Sequence, residues 1–131
     1  YKMTDMQAAL GEVQLARLND FIALRQNIAQ RYRDSLEHTA VQLPANLDEH
    51  SYYRFCIGLS SDCEPMIQNL AQHGVGCARP VFLPIHRHLK TDGYPLTDQV
   101  WKSTLSIPLY PSLKAEAVEQ VISCFIRNFE K

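Results

Sequence analysis

Apolar residues recur every three or four positions from the start of the chain. Met6, Leu10 and Val13, then Leu15, Leu18 and Ile22, lie on helical spacing, and Phe21, Ile28, Tyr32 and Leu36 continue it. Thr4-Asp5-Met6-Gln7 ahead of them reads as a capping box, in which a hydroxyl and an amide three residues on each satisfy a backbone group of the first turn. Asn19-Asp20 is a weak point, able to close one helix and cap the next. An unbroken helix from Thr4 to Leu36 would be about 50 Å long, whereas a compact domain of this size is about 35 Å across. The pattern therefore predicts a helix that kinks or projects. Ala8, Ala9 and Gly11 would let another backbone approach its first turns.

The rest of the chain changes period. Pro44 to Glu49 is a polar loop, and "SYYRFCIGLS" then alternates as a half-buried strand does, with Tyr53, Phe55, Ile57 and Leu59 on one side. Ser61-x-x-Glu64 forms a second capping box with Pro65 in the first turn, and the short helix through Met66, Ile67 and Leu70 ends at Gly74. "VGCARPVF" predicts a second strand stopped by proline, and "LPIHRHLKTDGYP" a loop. "LTDQVWKSTL" fits a short helix after Thr97, and "LSIPLYP" a brief strand whose Pro108 suits an edge. Ser112 is placed to cap a last helix carrying Val118, Val121, Ile122, Phe125, Ile126 and Phe129. The predicted class is α+β: a long N-terminal helix and a small three-stranded, mainly antiparallel sheet with helices on one face. Three strands cannot cover all these helical stripes, which leaves an apolar face for a partner.

Composition narrows the classes. The 131 residues suit one domain, and 46% apolar with 21% charged residues is ordinary globular usage. A net charge of −1 with interspersed signs offers no basic stripe for nucleic acid. No apolar run approaches the ~20 residues of a membrane helix, and no charged start leads into an apolar leader. Cys56, Cys63, Cys77 and Cys124 form no C-x-x-C, and three stand in apolar stretches. They are expected to be reduced and structural, which points to the cytoplasm.

Candidate chemistry gathers in the predicted loop. His86 and His88, two apart on extended backbone, would point the same way and could share a metal, but no carboxylate or cysteine stands nearby at ligand spacing. A loop facing an anionic ligand is the reading His86-Arg87-His88 favour, with a solvated loop of no role as the alternative. Arg79 before Pro80 is either a fork for phosphate or carboxylate or half of a surface ion pair. Tyr1 and Lys2 precede the first helix, whose N-terminus favours an anion. Trp101 and Tyr110 are expected as core anchors. No phosphate-binding glycine loop and no nucleophile elbow is present, so no catalytic residue is assigned.

"YKMTDMQAALGEVQLARL", "HSYYRFCIGL", "LAQHGVGCARPVFLPIHRHL" and "LSIPLYPSLKAEAVEQVI" together resemble, in order and over the whole chain, motifs of the DegT/StrS-type nucleotide-sugar aminotransferases. The resemblance implies a fold-type I enzyme dependent on pyridoxal 5'-phosphate (PLP), of which this chain is the C-terminal part. Residues 1–38 would then be a linking helix that meets the large domain and the dimer partner, and 39–131 the small α+β domain. The Schiff-base lysine would lie upstream. Lys2, Lys90, Lys102, Lys114 and Lys131 match no such context, so the piece alone should hold no PLP stably and be inert. By the same resemblance Tyr1 and Lys2 lie by the PLP phosphate, with Lys2 where arginine is common, and Arg79 and His86 by the sugar-nucleotide. The parent would move an amino group, from glutamate, to a nucleotide-linked keto-sugar for polysaccharide or natural-product synthesis. "RHLKTDG" after His86 departs from the family's Gln-Pro run and leaves sugar and nucleotide open. A PLP-dependent sugar dehydratase of the same scaffold, and a free-standing α+β ligand-binding or interaction module, are the alternatives.

Overall fold

The computed structural model describes residues 2–45 and 49–129. The Thr4 hydroxyl accepts from the Gln7 N–H at 3.3 Å, and the Gln7 side-chain oxygen accepts from the Thr4 N–H at 3.0 Å, completing the expected capping box. Helix α1 (Asp5–Ala16) and helix α2 (Leu18–Leu36) follow, with only Arg17 between them. Arg17 leaves helical geometry at φ −99°, ψ 1°, and its N–H turns to the Gln14 carbonyl at 3.1 Å. The run expected as one long helix, kinked or projecting, is thus two separate helices, and the break falls at Arg17 instead of the weak point at Asn19-Asp20. No residue of α1 is buried, whereas α2 buries Ile28, Ala29, Tyr32 and Leu36.

Strand β1 (Phe55–Gly58), helix α3 (Glu64–Gln72), the single turn α4 (Ile85–His88), helix α5 (Pro95–Ser103), strand β2 (Thr104–Ile107) and helix α6 (Ala115–Ile126) complete the chain. β1 and β2 pair antiparallel, with Phe55 opposite Ile107 and Ile57 opposite Leu105. These four side chains alternate with half-buried neighbours and enter one core with Tyr32 and Leu36 of α2 and Val118 and Phe125 of α6. The Tyr32 ring lies 5.5 Å from that of Phe55, and its hydroxyl donates to the Pro108 carbonyl at 2.8 Å. Burial pushes the Tyr32 phenol far above its usual range, so it serves here as a neutral donor. Arg31 pairs with Glu119 where α2 packs on α6.

Among the described residues the sheet has two strands, not three. Of "VGCARPVF" only Ala78 pairs with β2, through an isolated bridge to Ser106, and Gln42 makes a similar bridge to Gly58 of β1. The cause lies in the residues that follow. Pro80 has no N–H to give a ladder, and the carbonyls of Pro80 and Val81 are taken by the Arg54 guanidinium (2.6 Å) and the Trp101 indole N–H (2.9 Å).

Several ends differ from the sequence reading for local reasons. Asp62, not Ser61, serves the start of α3, its carboxylate accepting from the Glu64 N–H at 2.9 Å. Gly74, at φ +77°, closes α3: its N–H meets the Ala71 carbonyl while the Val75 N–H reaches Leu70, leaving Val75 and Leu70 both buried. The loop before Gly93 contains α4, which starts directly after Pro84, and α5 starts at Pro95, ahead of Thr97. Lys114, not Ser112, occupies the cap position of α6. Tyr53, expected on the buried side of its strand, is 70% exposed, and Tyr110, expected in the core, is 47% exposed. Asn46 to Asp48 of the polar loop lie outside the described residues. Cys63 and Cys124 are buried, Cys56 and Cys77 half-buried, and all four are free thiols. Among the described residues no helix is long and apolar enough to cross a membrane.

Tyr32→Phe leaves the Pro108 carbonyl without its donor and is expected to lower stability by about 1–3 kcal/mol. Phe125→Ala, which empties a fully buried position, should cost about 3–5 kcal/mol. Urea denaturation followed by circular dichroism measures both, and equal midpoints for the two variants would contradict this ranking of the contacts.

Candidate functional site

The segment after Ala78, α4 and α5 enclose an open groove of about 730 Å³. Val81, Pro84, Ile85, Leu89, Tyr94, Val100 and Trp101 line it, and its wall is mainly apolar. Two features of sequence build it. Proline starts both helices by supplying a φ suited to a first turn or its cap, so α4 begins after Pro84 and α5 at Pro95. Between them, Lys90 at φ +56° and Gly93 at φ +97° reverse the chain in left-handed geometry, which glycine accepts freely and lysine at some cost.

Charged groups behind the groove converge on Trp101. The Arg79 guanidinium carbon lies 4.8 Å from the centre of the indole, and that of Arg87 lies 4.7 Å from it. Contacts of this kind are attractive because the ring face is negative. Each arginine is anchored by carboxylate: Arg79 by Glu64 and by Asp62 (2.8 Å), Arg87 Nε by Asp98 Oδ1 (2.7 Å). The same Asp98 oxygen faces His86 Nε2 at 3.2 Å, and the His86 ring lies 5.1 Å from that of Tyr94. The Arg87 hydrogen bond is the main reason the Asp98 carboxyl titrates below its usual range, with His86 adding to it. Glu64 is held low chiefly by Arg79, and Asp62 chiefly by the Glu64 N–H.

The positions singled out from sequence divide accordingly. Arg79 and His86 come to one region, Arg79 against Trp101 and His86 against Asp98. Arg79 spends both ends of its fork on Asp62 and Glu64, which realises the ion pair among its two readings. His86 and His88 lie on a helical turn, not on extended backbone, where residues two apart face different ways. His88 is exposed, and among the described residues no group of three or more metal-ligating side chains is found. Lys2 stands exposed ahead of α1, and Tyr1 lies outside the described residues. Trp101 is a half-buried wall of the groove instead of a core anchor. Asp98 and Tyr94 went unnoticed, because no local spacing links them to His86 or Arg87. Among the described residues none fits the Schiff-base lysine of PLP at the groove: Lys2, Lys90, Lys102 and Lys114 are all exposed and no lysine lines it. Lys131 lies outside the described residues.

The arrangement of these elements matches part of solved aminotransferases. TlmJ, an aminotransferase from Streptoalloteichus hindustanus, superposes with a TM-score of 0.88 at 27% identity, over 96% of this chain and 36% of its own. The PLP form of Spr1654 from Streptococcus pneumoniae superposes with a TM-score of 0.87 at 25% identity, over 98% of this chain and 36% of its own. In sequence, a GDP-perosamine synthase from Caulobacter vibrioides is 27% identical over 136 residues, covering 94% of this chain and 36% of the relative. The model of the DegT/DnrJ/EryC1/StrS aminotransferase family matches residues 1–126, and the chain belongs to that family. It spans little more than a third of the length of the curated relatives it matches.

Acid should open the site before it unfolds the core. Asp62, Glu64 and Asp98 titrate lower in the folded chain than in the unfolded one, so their contribution to stability is in place above the usual carboxylate range, about pH 4. It is lost as pH falls through their depressed values. Trp101, the one tryptophan of the sequence, reports the release of both arginines. Its emission is expected to change at a higher pH than the far-ultraviolet dichroism, and coincident transitions would contradict separate loosening.

Proposed function

We propose that this chain is the linking helix pair and small C-terminal domain of a PLP-dependent aminotransferase that acts on a nucleotide-linked keto-sugar. The observation that carries the reading is the family match over residues 1–126, combined with coverage of only 36–38% of the first relatives. The relatives' names point to the same chemistry. They include a spore coat polysaccharide biosynthesis protein and a dTDP-3-amino-3,6-dideoxy-alpha-D-galactopyranose transaminase.

The exposed surface of the chain supports a larger body. Met6, Leu10 and Val13 fall on one side of α1 and are 85%, 63% and 59% exposed, and the space beside Gly11 is open. A helix of this length with nothing packed on its apolar side is marginal in water. Residues 1–38 are the linking helices, whose exposed α1 meets the large domain and a second subunit of a homodimer, and 39–131 form the small domain on which α2 packs. In this assembly the Schiff-base lysine comes from the large domain. Tyr1 and Lys2 lie by the cofactor phosphate, and His86, with Arg79 behind Trp101, serves the sugar-nucleotide. Glutamate is the amino donor, the enzyme is cytoplasmic, and the 131-residue chain alone is inactive.

Translation of the coding sequence ahead of Tyr1 should reveal a lysine-bearing large domain, and that longer protein should aminate a nucleotide-linked keto-sugar with glutamate and PLP. The 131-residue chain, treated with PLP and borohydride, should retain no stoichiometric pyridoxyl-lysine. A stoichiometric adduct, or a longer frame without such a lysine, overturns the proposal.

A further inference from the structure

α4 is a single turn of four residues, too short to hold its shape through its own hydrogen bonds. Three ties from outside the turn bear on His86. Its carbonyl accepts from the Thr91 N–H at 2.9 Å and the Thr91 hydroxyl at 3.3 Å, its ring lies beside Tyr94, and its Nε2 faces Asp98 Oδ1. The first two fix where the residue sits. Only the third distinguishes one ring nitrogen from the other.

We propose that Asp98 is a positioning residue, whose carboxylate holds the His86 imidazole in one orientation with the proton on Nε2. A carboxylate can only accept, so Nε2 must be the donor in this pair. The neutral ring then keeps Nδ1 unprotonated, as an acceptor. Asp98 stays ionised well below neutral pH because Arg87 donates to the same oxygen at 2.7 Å, and its place in the first turn of α5 adds the favourable end of the helix dipole. The His86 side chain is 10% exposed and borders the groove, while that of Asp98 is 33% exposed, so the ring end of the bond is the sheltered one. As with histidines oriented by a carboxylate elsewhere, the partner decides which nitrogen meets a ligand. The role of Asp98 toward substrate rests on the reading of His86 as a sugar-nucleotide contact. The placement of the ring does not.

Long-range proton–nitrogen NMR of the ¹⁵N-histidine-labelled chain at pH 8 tests the placement without substrate. His86 should show a protonated Nε2, an unprotonated Nδ1 and an Nε2–H signal protected from solvent. In Asp98→Ala that proton should exchange roughly tenfold to a hundredfold faster, the worth of one hydrogen bond to a charged group. Asp98→Asn, which keeps shape and an acceptor oxygen but loses the charge, should fall between. Arg87→Gln should leave the signal in place, since it removes a tie to α4 but not the acceptor. Unchanged exchange in Asp98→Ala, a proton on Nδ1 in the parent chain, or equal loss in Arg87→Gln overturns the proposal. In the longer enzyme, His86→Ala and Asp98→Ala should each raise KM for the nucleotide-sugar, with no further rise in the double variant. An unchanged KM in His86→Ala, beside the lost signal in Asp98→Ala, overturns the substrate reading while the ring placement stands.

Discussion

The pairing of β1 with β2 over Tyr32 is the constraint on which the rest of the molecule depends. Phe55, Ile57, Leu105 and Ile107 present one continuous apolar surface only in the observed register, since a slip of one residue would turn each to the opposite side. Tyr32 fixes that surface against α2 by contact with Phe55 and by its bond to the carbonyl just beyond β2. β2 also begins where α5 ends, Thr104 being both the cap of the helix and the first residue of the strand. The core therefore places Asp98 and Trp101, and through them the groove.

Two kinds of surface follow. One belongs to the chain's own folding: α2, α6 and the strands bury their stripes on each other. The other, along α1 and around the groove, keeps large apolar side chains in water, Phe82 being 90% exposed. Membership of the DegT/DnrJ/EryC1/StrS family gives both surfaces a context, since the related chains are nearly three times as long. The charged network behind Trp101 belongs to neither. It ties the start of α3 to the segment after Ala78, and α4 to α5, through charged side chains.

Much of the fold was legible in the sequence because its periods are local. The Thr4 capping box, the stripe through Ile28, Tyr32 and Leu36, the Phe55–Ile57 alternation and the stripe of α6 all appear where spacing puts them. What was illegible depends on distant partners. Residues 75–82 read as a strand, but the carbonyls that would have extended the ladder go to Arg54 and Trp101. Ser61 and Ser112 have the chemistry of caps, yet Asp62 takes the first role and α6 starts without a side-chain cap. In the site, His86 and Arg79 were visible as residue types beside proline. Asp98, eleven and twelve positions from the groups it binds, became visible only when the chain folded. Trp101 looked like core because bulk and aromaticity do not reveal which side of a helix will meet water.

The seamless passage from α5 into β2 has a consequence for how this domain can change. With no flexible residue between Ser103 and Thr104, the helix cannot swivel about its axis without dragging the strand out of alignment. Diversification of the groove is thereby channelled into side chains and into the turn from Lys90 to Gly93. Alterations under the sheet, far from any ligand, would be felt as a change in the width of the opening.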